Sequence, residues 1–274
     1  MKNQKNFERI MGILTWGAAA LTLGVLAFII GFILFKGVPH LKPSLIAFSY
    51  NSENVSLMPG LISTILMTLL SLAISVPVGV FAAIYLTEYA KRGSKLVSLV
   101  RLTTETLSGI PSIIYGLFGL LFFVTYLGWG FSLLAGAFTL SIMILPLIMR
   151  SCEEAIHSVP DVLREGAFGL GAGKLRTILK IVLPSALPGI FAGIILAIGR
   201  IVGETAALIY TAGTVAQIPK SPLSSVRTLS VHMYALSGEG LHTNESYATA
   251  VVLLLVVVAI NTLSAKIVKS IGVK

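Results

Sequence analysis

Arg200 and Glu204 stand four residues apart in a run from Leu187 to Ala216 that is otherwise free of charge. In a helix that spacing puts both side chains on one face. Each would cost about 2.5 to 3.5 kcal/mol at the centre of a bilayer on insertion scales, so they must face protein or water and find a partner. Two chemistries fit. The plainer one is a self-neutralising pair that joins helices, helped by Gly189, Gly193, Gly199 and Gly203, whose small-xxx-small spacing lets backbones approach. The other is a path for an anion, with Arg200 contacting the solute and Glu204 holding or competing for the guanidinium as a gate. A guanidinium suits a phosphate-like oxyanion because its planar fork makes two charge-assisted hydrogen bonds. Glu105 is a third deep carboxylate, one turn after Arg101, and an i, i+4 pair with Arg101 is its simplest reading.

Other chemistry finds little support. Cys152 is the single cysteine, and His40, His157, His232 and His242 are too scattered to supply two ligands from one helix turn, so no metal site is expected. Gly173-Lys174 has the look of the end of a phosphate-binding loop. However, Phe168 occupies the place of the first glycine and Leu175 that of the magnesium-binding hydroxyl. Asn54-Val55-Ser56 and Asn244-Glu245-Ser246 match the glycosylation acceptor pattern, which is short enough to arise by chance.

The elements that must position these residues follow from composition. The chain has 274 residues, 11% charged and 55% hydrophobic, with a mean hydropathy of +0.93. A soluble protein of that composition could not cover its surface with polar groups, so the solvent is lipid. Met11 to Phe35 is uncharged and too long for a cleaved signal peptide, so it reads as a retained span. The fold expected is an all-α membrane protein in one domain, with six spans at about 11–35, 60–87, 104–127, 131–149, 187–214 and 247–265. Pro77 is a possible kink in the second, and Gly128-Trp129-Gly130 suits the turn between the third and fourth. No internal repeat stands out.

Charge orients these spans. With six spans, only Lys36, Lys42, Lys220 and Arg227 of the 20 Lys and Arg lie on the side away from the termini, and Arg200 lies within the membrane. The remaining fifteen share the terminal side, which places both termini in the cytoplasm by the positive-inside rule. The net charge of +9 is thereby explained without nucleic acid, with some attraction to anionic lipid expected.

The segment 150–184 is too long for a simple connection. Pro160 can open a helix, while Gly169, Gly171 and Gly173 interrupt one. Leu175, Ile178, Leu179 and Val182 then recur at i, i+3, i+4 and i+7. Two short helices around a glycine bend are expected on the cytoplasmic face. Glu165, Gly166, Ala167 and Gly171, followed by Ile181, Leu183 and Pro184, resemble the E-A-A-x3-G-x9-I-x-L-P motif of ABC importer permeases, with Gly166 in place of the middle alanine. Six fixed matches arise by chance at about one in ten million starting points, given roughly one in fifteen per position.

The stretches 105–119 (ETLSGIPSIIYGLFG), 199–207 (GRIVGETAA) and 228–234 (TLSVHMY) are similar to those of phosphate ABC importer permeases, nearer the PstA type than its PstC-type companion. The likeness covers about Leu61 to Ala265. It implies the type I importer permease fold with 150–184 as a coupling-helix elbow docked into an ATPase, and Arg200 and Glu204 at positions linked to the translocation path. The implied assembly pairs this chain with a second permease subunit of the PstC type, two cytoplasmic ATPase subunits and an extracytoplasmic phosphate-binding protein. It sits in the cytoplasmic membrane of a bacterium or archaeon. ATP and magnesium belong to the partner ATPase; no cofactor and no enzymatic activity are expected of this chain. The rival readings are the same architecture moving sulfate, molybdate or an amino acid, an ion-coupled secondary transporter, and a non-transporting scaffold.

Overall fold

The structure, a computed structural model, describes residues 2–91 and 93–272. Arg92 and Lys274, two of the basic residues counted for orientation, lie outside the described residues. Everything regular among the described residues is helical, in the order α1 (Lys2–Gly37), α2 (Met58–Ile84), α3 (Lys95–Ser108), α4 (Ser112–Gly119), α5 (Leu133–His157), α6 (Asp161–Gly169), α7 (Lys174–Thr177), α8 (Leu183–Gly203), α9 (Ala206–Thr211), α10 (Leu229–Glu239) and α11 (Thr243–Gly272). Wide π turns extend α2 over Tyr85–Tyr89 and α4 over Leu120–Tyr126, and join α7 to α8 over Ile178–Val182.

Five continuous helices are long and apolar enough to cross a membrane: Phe7–His40, Met58–Tyr89, Leu133–His157, Lys174–Gly203 and Thr243–Lys266. The straight span expected over 104–127 is replaced by a bent pair of helices. Lys95–Ser108 and Ser112–Tyr126 meet at 101°. The cause is Pro111, which disfavours helical geometry at Ile110, itself preceded by Gly109. The fifth span also differs from 187–214, because its helix begins at Lys174 and stops at Gly203.

The core forms where α5 meets α2 and α8, with Met67, Met143, Ile144, Ile148, Cys152 and Ile201 all buried. Small residues bring these helices close. A Cβ at Gly193 would lie 2.3 Å from that of Ser151, and one at Gly189 2.7 Å from that of Ala155. The glycine stripe is used only in part, since Gly199 and Gly203 face open space. Ser141 Oγ donates to the Ser71 carbonyl at 3.1 Å and Ser71 Oγ to that of Ala137 at 3.3 Å, adding a polar link between α2 and α5.

The turn at 128–130 forms as the glycines require, with φ of +68° at Gly128 and +63° at Gly130. Trp129 stacks on Phe123 and meets Phe138 edge-on, and Ser132 Oγ accepts the Ala135 N–H to cap α5. α1 stands apart with its side chains largely exposed, touching α11 through the Phe32 and Tyr247 rings and through Gly37, whose Cα faces the Tyr247 carbonyl. Asn54 builds a local turn, donating to the Ser49 carbonyl at 2.7 Å while its oxygen accepts from Asn51 and Ser56, which accounts for an asparagine at that acceptor-like position.

Candidate translocation path and coupling segment

The fifth span breaks at Glu204. Its ψ of 130° turns the following chain out of the helix, and no ion pair between its carboxylate and Arg200 forms among the described residues. The Glu204 carboxylate instead accepts the Ala207 N–H at 3.0 Å and caps α9. Its carbonyl, orphaned by the break, accepts from Ser230 Oγ at 2.6 Å. The buried carboxylate therefore has a local structural partner. Arg200 is half-buried and makes no ion pair among the described residues.

Beside this break lies the other one. α4 rests on α9 so closely that a Cβ at Gly116 would stand 2.8 Å from the Ala207 Cα. Tyr115 of α4 closes the bend back onto α3, its hydroxyl donating to the Leu107 carbonyl at 2.7 Å. α10 arrives through Ser230 and through the Leu229 N–H, which donates to Thr64 Oγ1 of α2 at 2.9 Å. The three stretches singled out in the sequence, 105–119, 199–207 and 228–234, thus converge on one place, where two interrupted helices lie side by side. Interrupted helices expose backbone groups and dipole ends, which is how transport proteins build solute sites at membrane depth.

Glu105 is not brought to Arg200. It is exposed on α3 and lines a cleft of about 560 Å³ with Arg101, Arg150, Glu153 and His157. The expected pairing of Glu105 with Arg101 is also replaced. Arg101 reaches across to Glu153 of α5, at 2.7 Å from Nη2 and 3.0 Å from Nε. A helix neighbour offers one favourable direction, whereas the α5 carboxylate meets the guanidinium edge.

The segment 150–184 forms an elbow. Pro160 sits at the N-cap of α6, and α6 ends in a Schellman motif: the Ala172 N–H donates to the Ala167 carbonyl at 3.0 Å and that of Gly171 to the Phe168 carbonyl at 2.9 Å. Gly171 has a φ of +79°, which the motif demands of that position. Gly173 caps α7, which runs on through Ile181, Leu183 and Pro184 into α8 as one helix of 30 residues. The π turn over Ile178–Val182 lies where Pro184 and Pro188 remove donors from the ladder.

Glu165 and Gly166 are exposed and Ala167 is buried. A Cβ at Gly166 would meet nothing within 4 Å, so the departure from alanine there is not forced by packing. The apolar stripe splits into two i, i+4 sets: Ile178 and Val182 point inward, while Leu175 and Leu179, on the adjacent face, stay exposed. Val162, Phe168 and Leu170, 91% exposed, join Leu175 on the outer surface. Lys174, which only superficially resembled a phosphate-loop lysine, lies over the Tyr89 ring at 4.9 Å.

Residues 75–271 match the family model described as "Binding-protein-dependent transport system inner membrane component". The chain belongs to that family. It is similar to the probable ABC transporter permease protein YqgI of Bacillus subtilis, 34% identical over 238 residues that make up 81% of each protein. It is also similar to the phosphate transport system permease protein PstA of Pasteurella multocida, 36% identical over 75% of this chain and 73% of that one. A chain of a bacterial alginate ABC transporter, solved in complex with an alginate pentasaccharide-bound periplasmic protein, superposes with a TM-score of 0.66 at 18% identity, covering 97% of this chain and 98% of that one. Membership fixes a multi-pass inner membrane component of a binding-protein-dependent transport system.

Several contacts of the permease lay beyond sequence reasoning. Arg227 donates to the Thr214 carbonyl at 2.6 Å and stands over the Tyr50 ring and beside the buried His232. Arg164 bonds Glu88, 76 residues earlier. No local pattern marks such pairs, since each joins segments that only packing brings together.

Proposed function

We propose that this chain is one permease subunit of an ATP-driven importer of inorganic phosphate, supplying half of the translocation path and docking the ATPase. The observation that carries the reading is Arg200, a guanidinium without an ion pair among the described residues, at the junction of the two broken helices. Its free fork matches two oxygens of an oxyanion. The phosphate transport permeases among its relatives point to the same solute. Glu204 shapes the path by holding the break open, and Glu105 lines the approach from the α3 and α5 side.

The elbow faces the cytoplasm in this reading, with both termini, because the basic excess lies on that side. Its exposed Val162, Phe168, Leu170 and Leu175 form an apolar knob for a groove on the ATPase, with Glu165 at its edge. ATP and magnesium act in that separate chain, in two copies. A second, PstC-type permease completes the path, and an extracytoplasmic phosphate-binding protein delivers solute at the α10 end.

The test is reconstitution of the copurified complex in proteoliposomes with ATP inside and labelled phosphate outside. Uptake that needs the binding protein and ATP, resists competition by sulfate, molybdate and amino acids, and is lost in Arg200→Ala with assembly intact is the expected result. Competition by another solute would reassign the cargo. Transport without any ATPase would overturn the importer reading in favour of ion coupling.

A further inference from the structure

Arg164 stands immediately before Glu165, yet its side chain turns away from the outer surface of the elbow, and only 14% of it is exposed. All five of its N–H donors are engaged. Nε and Nη2 donate to Glu88 Oε1 at 3.1 and 3.0 Å. Nη2 also donates to the Ile156 carbonyl at 2.9 Å, and Nη1 to the Val159 carbonyl at 2.6 Å and to Asp161 Oδ1 at 3.0 Å. A guanidinium has five donors and no more, so nothing is left over. The Glu88 side chain is 11% exposed and belongs to the wide turn that ends α2. One side chain therefore joins α6, the carbonyls at the end of α5, and the end of α2.

The second arm of the elbow reaches the same turn. Lys174 of α7 lies over the ring of Tyr89, the neighbour of Glu88. Resting on the reading of the elbow as the ATPase dock, we propose that Arg164 is a positioning residue that makes the elbow and the end of α2 move as one body, so that ATPase closure reaches α2 directly as well as α8 along the chain. Chain continuity alone carries motion of the elbow only into α5, through Ser158 to Pro160, and into α8, through the Ile178–Val182 turn. α2 has no covalent link to it. α2 and α8 flank α5 in the core, so driving only one of them would shear the core rather than tilt it as a unit. A largely buried ion pair whose guanidinium donors are all engaged suits the task because it resists partial displacement: removing either partner strands a charge.

The experiment uses the complex copurified with its ATPase, second permease and binding protein, in proteoliposomes. Arg164→Ala, Arg164→Lys and Glu88→Gln are compared for three readouts: ATPase recovered per permease, ATP hydrolysis stimulated by the binding protein, and phosphate taken up per ATP hydrolysed. Arg164→Ala is expected to keep the ATPase bound while uptake per ATP falls by about tenfold. Arg164→Lys, which keeps the charge but not the fork, falls between it and the wild type. Lys174→Ala, an exposed contact, changes the ratio by less than about twofold.

An unchanged ratio in assembled Arg164→Ala complex overturns the inference, as does loss of assembly in both Arg164→Ala and Glu88→Gln, which would make the pair a folding element only. Failure of the wild-type chain to retain an ATPase would instead sink the reading of the elbow on which the inference rests.

Discussion

Gly116→Ala tests whether the two broken helices are held by direct backbone contact. The added Cβ would lie 2.8 Å from the Ala207 Cα, 3.2 Å from the Ala207 carbonyl oxygen and 3.3 Å from that of Ala206. All three are main-chain atoms of α9, so no side chain can rotate aside. Relief requires α4 and α9 to separate by about 0.6 Å, the gap between 2.8 Å and the 3.4 Å at which ordinary contact begins. Such overpacking costs about 1 to 3 kcal/mol. At roughly 2 to 4 °C per kcal/mol for a chain of this size, the thermal midpoint of the purified complex falls by about 5 °C. Separation also moves the break that Glu204 caps, so uptake falls with the midpoint. The matched control is Gly166→Ala, where a Cβ meets nothing within 4 Å and alanine favours the exposed helix by up to about 1 kcal/mol. A Gly116→Ala complex with an unaltered midpoint and full uptake would refute the contact between α4 and α9 as the element that holds the junction.

Glu204→Gln keeps an oxygen to accept the Ala207 N–H, so uptake stays within about threefold of wild type, whereas Glu204→Ala loses the cap, worth about 1 kcal/mol, and falls further; equal loss in both would assign the carboxylate charge itself a role. Gly171→Ala forces a Cβ into a φ of +79° at about 1 kcal/mol or more, and limited proteolysis should cut its elbow faster than that of wild type. His232, in α10 outside the spans, has its pKa lowered to about 4 by burial and by the Arg227 charge, against a weaker opposing hydrogen bond to the Val55 backbone. The unfolded imidazole takes up a proton near pH 6.5 and the folded one near 4, so stability is intact at neutral pH and is lost as pH falls through that window, by about 3 kcal/mol in all. His232→Gln should flatten that stretch of a midpoint-against-pH curve, and an unaltered slope would show the imidazole to be accessible to protons in the folded state.

The architecture was legible because each span reports itself locally. Uncharged runs such as Met11 to Phe35 can be satisfied only by lipid or protein, and the hairpin at 128–130 needs nothing beyond two glycines with positive φ. The elbow was legible for the same reason. Pro160, Gly171 and Gly173 act on their own backbone, and a Schellman motif closes within six residues.

Tertiary structure decided the rest. Gly109 and Pro111 carried the signal of a bend, but its angle depends on α4 finding α9 through Gly116. Glu204 looked like the partner of Arg200, but the break after it brings the Ala207 amide of α9 within 3.0 Å of its carboxylate. Arg101 chose Glu153 over Glu105, and Arg164 chose Glu88, because packing brings those carboxylates to the edge of the guanidinium fork. Local sequence fixes which residues can be helical or charged within the membrane. Which charge meets which depends on distances of a few ångströms between segments far apart in the chain, and those exist only after the helices have packed.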